Sequence, residues 1–290
     1  MLDLNPLSRH PYSDCYQLRV GEETSIPVIR LETQLTGWGS CFLSIMFGYF
    51  GHHKCGTVWI LSIVKEIAAQ AGLRVAHHHN EAGFDGDIQA HFNRCPFDFW
   101  CYTNADYYFV RGIALGGFHV VRDPRDVIVS GYFSHLNSHP EDGWPRLRPY
   151  RKLLRSISKE EGLLREMEFI APVLYDMLGW DRPAAGVREI RFEELVADPK
   201  DRFCRIFRDL GLLPDRVSEA ALCQAVDRYT FQRLAGGRKA GEEDAAHHFR
   251  KGVPGDWRNH FTPAHTAYFK KLHNPLLLKL GYERDENWDH

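Results

Sequence analysis

The stretch that most constrains this chain runs Phe47-Gly-Tyr-Phe-Gly-His-His-Lys-Cys-Gly-Thr-Val-Trp-Ile60. An apolar run from Cys41 to Phe50 enters it and Gly51 to Thr57 form a tight loop. An amphipathic helix leaves it, with Ile60, Ile63, Val64, Ile67 and Ala71 on one stripe. Strand, glycine-containing loop and helix N-terminus together make an anion site. The first backbone N–H groups of the helix lack intrahelical partners, and its dipole favours negative charge there. Gly56 lets a phosphate approach the backbone, Lys54 adds a positive charge and Thr57 a hydroxyl. The plainer alternative is a glycine-rich turn before a helix. The loop fails the Walker A test, which needs Lys and then Ser or Thr directly after the second Gly; here Thr57 follows Gly56 and the lysine sits inside the loop. A nucleoside triphosphate with Mg²⁺ is therefore the less expected ligand.

The rest of the chain reads as an α/β protein, a central parallel β-sheet flanked by helices. Phe118 to Val121 form a short buried strand; Asp123 then caps a helix, with Pro124 at its first position and Asp126 in its first turn. Arg122 ends the strand and Ser130 lies about two turns into the helix. Ligands of open parallel sheets bind at the carboxyl ends of strands, so Arg122 and Ser130 can converge on a second phosphate. Residues 149–180 carry a helical pattern broken at Gly162 and Pro172. Val187 to Val196 read as a strand running into a turn. Helices follow from Asp198-Pro199 to Gly211 and over about 217–229. Residues 235–249 read as a mobile loop or lid. Arg250-Lys251-Gly252 set two cations beside a flexible backbone, which suits an anion. A C-terminal helical segment over 263–280 is interrupted near Pro275. Residues 1–40 are an irregular lead-in to a single domain spanning 1–290.

Between 73 and 106 lie His77-His78-His79, Glu81, Asp85, Asp87, His91, Asp98 and Asp106. Three successive histidines on extended backbone alternate faces, and no zinc-helix spacing occurs in this segment, so no metal is expected and a solvated loop bordering an active site is. Phe97 to Tyr102 form a buried strand or a substrate wall. Net charge is −2 with His neutral, so no global basic field draws the chain to nucleic acid, and any anion site is local. Seven cysteines with no Cys-x-x-Cys spacing point to reduced thiols and a cytoplasmic protein. No apolar run is long enough to span a bilayer.

With these residues in place, the chain resembles the sulfotransferases that use 3′-phosphoadenosine-5′-phosphosulfate (PAPS). Lys54-Cys-Gly-Thr-Val-Trp59 is similar to the family's 5′-phosphosulfate loop. Arg122-Asp-Pro-Arg-Asp-Val-Ile-Val-Ser130 is similar to its 3′-phosphate motif, and Arg250-Lys-Gly-Val-Pro-Gly-Asp-Trp257 to its late signature. Phe192-Glu-Glu-Leu and Asp198-Pro199 are fainter echoes. The resemblance implies a P-loop-NTPase-like sulfotransferase fold and transfer of a sulfuryl group from PAPS, with no metal, to a hydroxyl or amine of a small-molecule or glycan acceptor. It implies that Lys54 stabilises the leaving phosphate during in-line displacement. The backbone of Cys55, Gly56, Thr57 and Val58 cradles the 5′-phosphate, and Trp59 stacks on adenine with Thr230 and Phe231 nearby. Arg122, Ser130, Arg250, Lys251 and Gly252 hold the 3′-phosphate.

The chain departs from the family at three places. His52-His53 replace Tyr-Pro before the loop lysine, Cys55 replaces Ser, and Asn104 stands where many members carry the catalytic His. Asn is no general base, so His91 and Asp106 become candidates, with His53 and His135 behind them. Alternatives are a nucleotide-binding relative without turnover and a P-loop kinase. Acceptor identity and assembly state stay open, a homodimer included.

Overall fold

The computed structural model describes residues 46–113, 115–180 and 186–289, and the lead-in over 1–40 lies outside them. In chain order the elements are β1 (Met46–Phe50), α1 (Thr57–Gln70), β2 (Val75–His78), α2 (Ile88–Arg94), β3 (Phe99–Tyr102), β4 (Leu115–Val121) and α3 (Pro124–Phe133). They continue with α4 (Leu147–Leu154), α5 (Lys159–Phe169), α6 (Ala171–Gly179), β5 (Val187–Arg191), α7 (Phe192–Ala197), α8 (Pro199–Asp209), α9 (Glu219–Arg228), α10 (Phe231–Leu234) and α11 (Pro263–Lys279). The strands lie in the order β2-β3-β1-β4-β5, and every pairing is parallel.

β3 is buried at every residue and β1 at all but its first, as expected of parallel strands covered on both faces. Tyr49 and Phe118 point to one side, where they meet Ile60, Ile63, Phe203 and Phe207 of α1 and α8. Phe50, Trp100 and Tyr102 point to the other side and pack with Phe84 and Trp180. A further core joins α3, α5 and α11 through Val127, Ile128, Met167 and Leu277. Glycines bring β1 and β4 close: a Cβ at Gly117 would sit 2.7 Å from the Gly48 carbonyl oxygen. The chain runs outward from β1 to β2, returns to β3 and then passes to β4 on the far side of β1. The direction of winding thus reverses between β1 and β4, which sets a crevice at their carboxyl ends.

Two expectations about local structure change. Gly162 does not break a helix; it lies inside α5, where a Cβ would stand 2.5 Å from the Tyr132 ring. The break falls instead between α4 and α5, where Ser158 caps the second helix by accepting from the Glu161 N–H. Pro275 sits within α11, which runs on to Lys279. The 235–249 stretch is held by hydrogen bonds: Arg238 donates to the carbonyls of Glu242, Phe249 and Arg250, and Asn137 to that of Ala245 at 2.8 Å.

Asp126 does more than favour the N-terminus of α3. Its buried carboxylate accepts from the backbone N–H groups of Gly255 at 2.7 Å and Trp257 at 2.9 Å, and Arg122 lies 3.6 Å away. One side chain thus ties the corner after β4 to a segment about 130 residues later in the chain. Asp126→Ala removes two charge-assisted bonds to backbone N–H groups. It is expected to lower unfolding stability by about 3 kcal/mol, seen as a reduced urea midpoint with an unchanged slope.

Candidate functional site

The loop after β1 enters α1 through two left-handed residues, Lys54 (φ 66) and Gly56 (φ 77). Such a conformation costs a non-glycine residue on the order of 1–3 kcal/mol, and surrounding contacts fix it here. Arg122 donates from Nη1 to the Lys54 carbonyl at 2.9 Å, Cys55 N–H bonds the His52 carbonyl at 3.1 Å, and Thr57 Oγ1 donates to that same carbonyl at 3.1 Å. Phe192 packs so close to Gly56 that a Cβ would come within 2.5 Å of its ring. No side chain caps α1, and its first turn holds no acid. Its leading N–H groups therefore face the crevice as anion donors.

A cavity of about 490 Å³ opens over this loop at the carboxyl ends of β1 and β4. Lys54, Gly56, Thr57, Val58 and Trp59 line one side of it, and Arg122 and Ser130 line another. Thr230 and Phe231, at the start of α10, face Arg250, Lys251 and Gly252. Gly252 is left-handed (φ 72), and a Cβ there would collide with the Phe231 ring. These are the residues expected at a nucleotide site, and the structure brings them together. Cys55 differs: its side chain is buried away from the cavity, and burial pushes its thiol up to about 12, so only its backbone is available.

Electrostatics divides the cations into two sets. Arg250 and Lys251 both donate to the buried Asp256 carboxylate, which also accepts from Asn259 at 2.8 Å. Burial alone would raise the Asp256 pKa, but hydrogen bonds from His260, Lys251, Asn259 and Arg250 hold it well below the ordinary range. Arg250 also pairs with Glu243 at 2.5 Å. Among the described residues Lys54 has no carboxylate bond; burial and the neighbouring Arg122 charge push its pKa down to about 8. Arg122 keeps its Nε buried with no hydrogen-bond partner among the described residues. Phe192 lies under its guanidinium, 4.9 Å from ring centre to carbon.

Across the cavity the wall is rich in histidine. His77 and His79 come from the edge of β2, His53 from the loop, His139 from the turn after α3, and His247 and His248 from the 235–249 stretch. Burial lowers His77 to about 4, and burial with Lys54 lowers His139 to about 3 and His248 to about 4. Asn104 lies in this wall, its Nδ2 3.0 Å from His79 Nε2. The turn over Ser134–Ser138 is π-helical, a form often found at functional sites. Arg151 braces it by donating to the carbonyls of His135 and His139 at 2.6 Å each.

The two leading candidates for the base lie elsewhere. His91 on α2 faces His78 Nε2 at 3.2 Å, and Asp106 accepts from the Tyr108 N–H at 2.8 Å to cap a turn. Neither lines the cavity. The sequence reading overlooked His139 and His248 and gave Phe192 only as a fainter echo. The spacing of His135 and His139, four apart on a helical turn, was the available signal.

Comparison with known proteins accords with this geometry. A model of the sulfotransferase domain matches residues 118–281, which begins after the lysine loop and takes in both later motifs. Human sulfotransferase 2A1 is 27% identical over 184 residues, 57% of this chain and 57% of its own. Guinea-pig 3-alpha-hydroxysteroid sulfotransferase is 27% identical over 178 residues, 57% of this chain and 56% of its own. The chain thus spans little more than half the length of these curated relatives. The structure of mouse sulfotransferase SULT7A1 complexed with PAP superposes with a TM-score of 0.55 at 19% identity, covering 81% of this chain and 85% of that one, a likeness of fold. Since the matched domain takes up more than half of the 290 residues, the chain belongs to the sulfotransferase-domain family.

Proposed function

We propose that the cavity binds PAPS and that the protein transfers its sulfuryl group to a hydroxyl or amine of a small-molecule acceptor. The observation that carries this reading is the pairing of two separate cation sites on one crevice: Lys54 with the α1 N-terminus, and Arg122 with Arg250 and Lys251. A ligand with two phosphate positions fits such a pair, and a single phosphate leaves one set unused. The buried, unpartnered Arg122 Nε calls for an acceptor. Gly56 and Gly252 each lie where a side chain would be blocked by an aromatic ring, so backbone and ligand can meet there. The mouse structure complexed with PAP supports the same reading.

When bound, PAPS supplies an already activated sulfuryl group. The chain's own residues supply position and charge. Thr57, Val58 and the rest of the first turn of α1 offer N–H groups to the 5′ side, and Lys54 holds a cation where the leaving oxygen gathers charge. Arg122, Ser130, Arg250, Lys251 and Gly252 hold the 3′ side. Trp59, edge-on to Phe192 and Phe203, offers an aromatic face to the base. The histidines lowered by burial are neutral near pH 7, so they add no competing positive charge. No helix among the described residues is long and apolar enough to cross a membrane. A cytoplasmic enzyme acting on a freely diffusing acceptor fits this reading, and a glycan acceptor is the variant an acceptor panel would reveal.

Adenosine 3′,5′-bisphosphate at a hundredfold its dissociation constant should stabilise the fold by about 2.7 kcal/mol, read as a melting shift. Adenosine 5′-monophosphate should give less, and Arg122→Ala should lose most of the effect. A larger shift with ATP and Mg²⁺ would overturn the reading.

Lys54 sets the pH dependence. Its pKa in the free protein is about 8, below that of an ordinary lysine, and an anion beside it raises the value again. Above pH 8 the free protein has therefore lost a proton that the complex keeps. Calorimetry should find bisphosphate affinity falling by up to about tenfold per pH unit above that point. In Lys54→Arg, whose guanidinium stays charged, the fall should flatten.

A further inference from the structure

Glu166 of α5 is fully buried. It accepts from the Tyr150 hydroxyl at 2.9 Å, and His135 Nδ1 lies 3.1 Å from its Oε2. Gly131 makes room for it, since a Cβ there would collide with Glu166 Oε1. A carboxylate only accepts, so a neutral His135 beside it carries its hydrogen on Nδ1 and presents a lone pair at Nε2. That lone pair faces His53 Nε2 at 3.1 Å, with the two ring planes 2° apart. His53 must then donate from Nε2, which leaves its Nδ1 as the unprotonated nitrogen. Among the described residues Nδ1 has no hydrogen-bond partner, and His53 lines the cavity next to Lys54.

We propose that His53 is the general base for the acceptor, and that His135 and Glu166 are positioning residues that fix its tautomer and take up the charge it receives. The proposal rests on the sulfuryl-transfer reading above. The acceptor O–H or N–H bond breaks and its proton goes to His53 Nδ1. The freed electron pair bonds to sulfur as the sulfur–oxygen bond to the 5′-phosphate breaks, and that pair leaves with the bisphosphate. The Nε2 proton of His53 passes to His135 Nε2, so the positive charge ends on His135 against Glu166. Burial, Lys54, His135, His139 and His79 all hold His53 well below the ordinary histidine value, so it is neutral at pH 7. A lone imidazole so placed is a weak base; the relay moves the charge away from Lys54.

The other histidines of the wall lack this connection. His77 and His79 face Thr103 and Asn104, and His139 Nδ1 is buried with no partner among the described residues. His52 makes a similar pair, its Nε2 2.7 Å from His119 Nε2, but it is buried outside the cavity.

Nitrogen-15 NMR of the imidazoles in the free protein tests the relay without an acceptor. His53 is expected as the Nε2–H tautomer, and Glu166→Gln is expected to mix the tautomers of His135 and His53. A wild-type His53 protonated on Nδ1, or one that Glu166→Gln leaves unchanged, overturns the proposal. With PAPS and a phenol accepted in a substrate panel, His53→Gln should lower kcat by at least about 100-fold with KM for PAPS little changed. Glu166→Gln should lower kcat less and shift the kcat–pH profile. His53→Gln retaining half of kcat also overturns it. Bisphosphate binding measured on the same samples separates the two readings: binding with the wrong His53 tautomer sinks the relay alone, and the expected tautomer without binding sinks the nucleotide site.

Discussion

The site depends on one carboxylate, Asp126, that makes two distant pieces of chain into a single wall. By accepting from Gly255 and Trp257 it fixes the Arg250–Gly252 segment against the corner after β4, with Arg122 beside it. Arg122 in turn holds the Lys54 carbonyl, so the phosphate loop, the β4 corner and the late basic segment form one connected unit. Each bond is short and carries charge on one partner, the kind that fixes geometry as well as adding energy. Cations on three separate loops would otherwise repel one another, and buried acceptors such as Asp126 and Asp256 let them gather.

Histidine serves a different purpose in the facing wall. A crevice that concentrates positive charge for phosphates leaves little tolerance for more of it near the acceptor. Buried imidazoles beside Lys54 stay neutral and still offer lone pairs and N–H groups. The same fold can thus keep an anion-binding half and a neutral, hydrogen-bonding half within one cavity.

What was legible in the sequence was whatever is local. The strand, loop and helix around Lys54, the Asp-Pro corner at 123–124 and the Arg250-Lys251-Gly252 run could be read because each depends on neighbouring residues: glycine where φ is positive, proline and aspartate where a helix begins. The base proposed here could not be singled out this way. His53, His135 and Glu166 stand 82 and 31 positions apart, and only the folded chain sets their nitrogen and oxygen atoms in line. Reasoning from the motif put His91 and Asp106 first and His53 and His135 behind them, and the first two do not line the crevice. The Gly162 and Pro275 expectations failed for a related reason. Packing against Tyr132 and within α11 outweighed the local tendency of glycine and proline to end helices.

The corner at 123–126 also reaches residues far later in the sequence. Arg125 donates to Asp123 and to Glu283, and its guanidinium lies over the rings of Trp257 and Trp288. Glu283, Trp257 and Trp288 all lie more than 130 residues after Arg125 in the chain. A nascent chain leaving the ribosome presents its lysine loop and α3 long before the groups that lock them together, so an early stop yields a protein with the motif and no assembled site.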